Sequence, residues 1–170
     1  MIGNDIVDLN LSRIESNWQR KGFLNKIFTA KEQIFIQNSI NQEFTIWNLW
    51  TRKEAAYKIY VQETKTTGYF PLKIECDFDN ELHGTVTIND KKYHTKTEIS
   101  VDYIYTVAVK NAVDFDQIIY LESKNNIIKK NGIPRFFDYK NNNFYPVSIT
   151  NHGRFEKIVK LNNIINLNEI

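Results

Sequence analysis

The sequence has a single cysteine, so no internal disulfide can form, and Cys76 has no cysteine or histidine at zinc-site spacing nearby. It reads most simply as a core or strand residue. No window approaches the roughly 18 apolar residues of a membrane-spanning helix, and the N-terminus lacks a basic region followed by an apolar segment. We therefore expect no membrane partner and a cytoplasmic location. An excess of either sign of charge is lacking as well. The formal net charge is only +2, and basic runs do not exceed pairs such as Lys91-Lys92 and Lys129-Lys130, which argues against a nucleic-acid partner. No repeat of fixed period is present. What is present is the composition of a folded globule: 42% hydrophobic and 14% aromatic residues in 170, enough for one domain, 1–170, with a real core.

The stretch that organises the chain is Trp50-Thr51-Arg52-Lys53-Glu54-Ala55-Ala56-Tyr57-Lys58, inside a pattern running from about Gln42 to Gln62. Apolar residues recur there at three-to-four spacing, at Phe44, Trp47, Ile46, Leu49, Trp50, Ala56, Ile59 and Tyr60, which predicts a helix with one face in a core. Trp50, Glu54 and Lys58 are four apart and stack on one side, with Lys53 next to that row around the helix. A Glu followed four residues later by a Lys is ordinarily a surface pair contributing about 0.2 to 0.5 kcal/mol.

The chain's start carries a second signal. Residues Met1 to Leu9 read as a strand in which Ile2, Ile6, Val7 and Leu9 are apolar and Gly3 allows close backbone approach. Asp5 sits inside it, where a carboxylate is costly unless paired, capping or metal-bound. Asp8 is more easily solvated at the strand's end. From Ser12 to Phe28 the pattern is helical or irregular with a break at Gly22, and Thr29-Ala30-Lys31-Glu32 offers a capping box for a helix to about Gln37. Asn38 to Asn41 form a turn, and Lys65 to Gly68 close the long helix. Strands follow at Leu72–Phe78, Gly84–Ile88, Tyr93–Ile99 and Tyr103–Val109, giving a mainly antiparallel sheet. Asp114 to Asn126 reads as a short helix or a connection, Asn141 to Asn143 as a turn between two more extended runs, and Phe155–Leu161 as the last clear strand. The Asn-rich tail, 162–170, reads as peripheral.

Gly3-Asn4-Asp5, followed by Trp50-Thr51-Arg52-Lys53-Glu54-Ala55-Ala56-Tyr57-Lys58 with Glu54 49 positions after Asp5, resembles the paired signature of the 4'-phosphopantetheinyl transferase superfamily, G-x-D and W-[ST]-x-K-E-A-x-x-K. A third segment, Lys129-Lys130-Asn131-Gly132-Ile133-Pro134 with Val147-Ser148-Ile149-Thr150-Asn151-His152-Gly153, is similar to the family's G-x-P and S-x-S-H stretch, with Asn151 where Ser is usual. The fold this implies is α+β, an antiparallel sheet packed against a long helix.

The resemblance implies an enzyme of the holo-acyl-carrier-protein synthase type. It would move the phosphopantetheine arm of coenzyme A onto a serine of an apo acyl, peptidyl or polyketide carrier and release adenosine 3',5'-bisphosphate. It implies Mg²⁺ held by Asp5 and Glu54, with Glu54 also accepting the serine proton directly or through water. Lys58 would face the phosphates with Lys53 as a second cation, and His152 would touch the 3'-phosphate of coenzyme A unless it is merely a strand-end histidine. Lys129 and Lys130 are further candidates for that phosphate. Trp50 reads as packing, and His83 and His94 as structural. Val7 stands where the larger, duplicated members carry a second acid, as in the short fatty-acid-synthesis type, and Asp8 where that type often has one. The short type assembles as a trimer, so a homo-oligomer is implied as well, and the length beyond that type would fall in the strand-rich region after Gly68. The rival reading is a non-catalytic module of the same fold that binds coenzyme A or a carrier. It predicts loss of Asp5, Glu54 or Lys58, and all three are present.

Overall fold

In the computed structural model, which describes residues 1–130 and 132–162, the chain opens with strand β1 (Ile2–Asp8) and three short helices, α1 (Leu9–Glu15), α2 (Phe23–Ile27) and α3 (Ala30–Asn38). Gly22 separates α1 from α2, and Thr29 and Glu32 form the anticipated capping box at the start of α3. Helix α4 (Gln42–Thr64) follows, two residues longer than its apolar period indicates, with Asn41 capping its first turn. Four strands come next: β2 (Ile74–Phe78), β3 (His83–Ile88), β4 (Lys91–Ile99) and β5 (Tyr103–Val109).

Strands β1 to β5 form one antiparallel sheet in the order β1-β5-β4-β3-β2, so the first strand pairs with the last and lies at an edge. A second antiparallel sheet holds β6 (Ile118–Leu121), β7 (Ile127–Lys130), β8 (Ile133–Asp138), β9 (Asn143–His152) and β10 (Phe155–Leu161). Its order, β6-β10-β9-β8-β7, repeats that of the first sheet, with β6 in the place of β1 and no helices between β6 and β7. The expectation of a helix or connection over 114–126 is corrected here. A 3₁₀ turn (Ala112–Gln117) leads into β6, whose four residues are too few to show a period. The tail from 163 onward and Asn131 lie outside the described residues.

Packing makes three layers. On one face of the first sheet, Ala55, Ala56 and Ile59 of α4 bury with Ile104, Ala108, Val86 and Ile88, each worth about 1 to 3 kcal/mol of transfer free energy for the larger side chains. Ile2, Ile6, Tyr105, Val107 and Val109 on the other face bury against Val159 and Leu161 of the second sheet. Gly3 sets the distance between β1 and α4: a β-carbon there would stand 1.9 Å from the Ala55 carbonyl oxygen. With glycine on the strand and alanines on the helix, the two backbones meet directly, which brings the helix residues after Ala55 within reach of β1.

Candidate active site

Among the described residues strand β1 pairs along one side only, with β5. Its open side would leave a row of unpaired amides and carbonyls, and side chains from α4 and β9 occupy it. Ser148 Oγ accepts from the Asn4 amide at 3.0 Å, and His152 Nδ1 accepts from the Asp8 amide at 2.9 Å. Lys58 Nζ donates to the Asn4 carbonyl at 2.6 Å, and Gln62 donates to the Ile2 carbonyl at 3.2 Å. Asp5 lies between these contacts. Its Oδ1 accepts from the Thr150 hydroxyl at 3.1 Å and stands 3.4 Å from Lys58 Nζ.

Asp5 and Glu54 line one cleft of about 350 Å³ with Trp50, Asn151 and His152. Burial pushes the Glu54 carboxyl from 4.5 up to about 7; the nearby charge of Asp5 adds to the rise, and Lys58 opposes it. Burial also raises Asp5, against the charge of Lys58 and the hydrogen bond from Thr150. Two carboxylates thus share a desolvated cleft with one ammonium beside them. A second cleft, about 490 Å³, shares Asn151 with the first and is lined by Lys58, Tyr57, Lys124, Lys129 and Pro134. The site therefore has an acidic end and a cationic end, with Lys58 at the boundary.

That donor set suits one kind of metal. Among the described residues no group of three His, Cys, Asp or Glu side chains gathers, so a soft-metal or all-protein cage is not built. Two carboxylate oxygens in one cleft, each destabilised as an anion by burial, fit a hard cation that takes one or two carboxylates and completes its shell with water and substrate phosphate. Asp5 and Glu54 are the residues that would hold Mg²⁺.

Residues 1–113 match the model of the 4'-phosphopantetheinyl transferase superfamily, a span holding Asp5, Glu54 and Lys58. The chain belongs to this superfamily. As an enzyme it is a phosphopantetheinyl transferase. It is 30% identical over 118 residues to a holo-[acyl-carrier-protein] synthase of Fusobacterium nucleatum, an alignment covering 66% of this chain and 95% of that protein. A Campylobacter jejuni holo-[acyl-carrier-protein] synthase is 33% identical over 115 residues, 64% of this chain and 95% of the relative. The fold is shared with the crystallised Helicobacter pylori holo-[acyl-carrier-protein] synthase in complex with coenzyme A, at a TM-score of 0.52 and 16% identity, covering 65% of this chain and all of that one. Since the family match runs through residue 113, the added length of this transferase lies beyond it, in the second sheet, rather than in the strand-rich region after Gly68.

Several residues stand elsewhere than expected. Lys53 is not a phosphate-facing cation: it is 1% exposed, and its Nζ lies 2.6 Å from Glu32 Oε2 while donating to the Ile27 and Pro71 carbonyls. Position 53 falls on the core side of α4, so its ammonium ties α2 and α3 to the helix. Asp8 is not solvated but buried. It accepts from Asn10 and Leu11 at the start of α1 and from the guanidinium and amide of Arg154, which hold its carboxyl well below the usual range. Lys129 lines the cationic cleft, but its neighbour Lys130 does not, as successive strand residues face opposite ways. His152 belongs to the acidic cleft, with its Nε2 3.5 Å from Glu15. Trp50 packs against the core and also walls that cleft. Thr150 and Lys124 went unassigned in the sequence. Thr150 had the similarity of its segment as a signal, whereas Lys124 had none.

Proposed function

We propose that this transferase moves the 4'-phosphopantetheine arm of coenzyme A to a serine of an apo acyl carrier protein, with Mg²⁺ required and adenosine 3',5'-bisphosphate released. The observation that carries the proposal is the meeting of Asp5, Glu54 and Lys58 at the junction of an acidic and a lysine-lined cleft. Bound Mg²⁺ would supply positive charge to the pyrophosphate oxygens. The serine oxygen forms a bond to the phosphorus nearer the pantetheine as the bond from that phosphorus to the bridging oxygen breaks, and the electron pair leaves with the adenosine bisphosphate. Glu54, whose carboxyl burial raises to about 7 in the metal-free cleft, would take the serine proton directly or through a water once the cation has drawn it into its ionised form. Lys58 is anchored by the Asn4 carbonyl and faces the lysine-lined cleft, where an ammonium offsets charge that grows on phosphate oxygens in the transition state. Lys124 and Lys129 would hold the nucleotide's remaining phosphates.

Because β9 of the same chain supplies Ser148, Thr150 and His152 to β1, we expect one copy to carry a complete site, so that specific activity does not depend on self-association into a trimer. Coenzyme A and a carrier protein as substrates fit a cytoplasmic protein. The test is chromatographic. Adenosine 3',5'-bisphosphate should appear only when coenzyme A, Mg²⁺ and apo carrier are all present, and its absence with coenzyme A bound would reduce the protein to a binding module.

A further inference from the structure

The second sheet repeats the strand order of the first but, among the described residues, has no helix of its own, and so no counterpart there of Glu54 or Lys58. Its contribution to the site is made by β9. Side chains two apart on a strand share a face, and Ser148, Thr150 and His152 are such a row, laid along the open side of β1. Two of the three serve the backbone: Ser148 accepts from the Asn4 amide and His152 from the Asp8 amide. Thr150 differs, because its hydroxyl reaches a side chain, donating to Asp5 Oδ1 at 3.1 Å. Lys58 contacts the same oxygen, and among the described residues no hydrogen bond reaches Oδ2. Thr150 is itself 5% exposed and β-branched, so its χ1 is restricted and packing limits where the hydroxyl can turn.

We propose that Thr150 is a positioning residue for the metal centre: its hydroxyl holds Asp5 Oδ1 so that Oδ2 faces the cation beside Glu54. The role rests on the reading of Asp5 as a metal ligand. It makes the second sheet, which lies beyond the residues 1–113 matched by the family model, a part of the site rather than an appendage. Carboxylate ligands are commonly oriented by such outer hydrogen bonds, whose loss costs about 10- to 100-fold in metal affinity.

The test is Mn²⁺ binding to the whole protein, without coenzyme A or carrier, followed by water-proton relaxation, alongside coenzyme A binding in EDTA. Thr150→Val should weaken Mn²⁺ binding about 10- to 100-fold and leave metal-free coenzyme A binding unchanged, whereas Thr150→Ser should restore Mn²⁺ binding. Parent-like Mn²⁺ affinity in Thr150→Val, or a loss of the same size in Thr150→Ser, would overturn the role. If the valine variant does not fold, Thr150→Ala carries the same expectation. Asp5→Asn is run beside them. Unchanged Mn²⁺ binding there would overturn the metal reading of the site and this role with it, an outcome distinct from failure of Thr150 alone.

Discussion

Replacing Glu54 by glutamine should make the metal-free protein more stable while making it a poor enzyme. In the unfolded chain the carboxyl ionises near 4.5, and in the folded chain only near 7. Below about pH 4.5 the group is neutral in both states and the substitution changes little. As pH rises from there to 7 the unfolded state loses its proton first, so the wild-type fold is progressively penalised, and above pH 7 the penalty is constant. A displacement from 4.5 to about 7, at about 1.4 kcal/mol per unit and discounted for the partial exposure of Glu54, amounts to about 2 to 3 kcal/mol. For a chain of this size that is about 5 to 10 °C in Tm. Thermal melts of parent and Glu54→Gln in EDTA should therefore coincide near pH 4.5 and diverge in the variant's favour by pH 8. Turnover with Mg²⁺ should meanwhile fall by about 10² to 10⁴. A variant that melts at or below the parent's temperature at pH 8 would refute the account of Glu54 as a buried, unwilling anion.

Three further outcomes follow from the same geometry. Lys58→Ala should lower kcat by about 10² or more and weaken coenzyme A binding far less, because an ammonium at the boundary of the two clefts acts mainly on developing charge; equal losses in both would assign it to ground-state binding. Lys53→Ala should cost about 3 to 5 kcal/mol of stability, since it leaves the buried Glu32 carboxyl without its ion-pair partner; an unchanged melt with weakened coenzyme A binding would return Lys53 to the phosphates. Gly3→Ala should force α4 away from β1, lowering stability by about 1 to 3 kcal/mol and Mn²⁺ affinity together, as its new methyl would meet the Ala55 carbonyl; a normal melt would show that the strand and helix do not need that contact.

Much of this was legible in the sequence because the signals were local. The apolar period from Gln42 onward defines α4, and alternating β-branched and aromatic residues define β3 to β5 to within about two residues. Asp5 and Glu54 could be paired only through the family signature, since nothing in the spacing of two residues 49 apart says that they share a cleft. Lys53 misled because the helical row defines neighbours and not depth. A lysine one residue from Glu54 looks exposed until Glu32, from a different helix, is seen to pair with it. The second sheet escaped notice as a repeat because it repeats an order of strands, not a sequence, and an order becomes visible only when hydrogen-bonded partners are known. Asp8 likewise depended on Arg154, 146 residues away.

The central claim is that Asp5, Glu54 and Lys58 form a working transfer site and not a binding surface. Intact-mass measurement of an apo acyl carrier protein, after incubation with coenzyme A, Mg²⁺ and either the parent or Glu54→Gln, tests it most directly. The account predicts one phosphopantetheine arm on the carrier serine with the parent and almost none with the variant at the same time. An unmodified carrier with the parent while coenzyme A remains bound, or equal modification by both proteins, would contradict it.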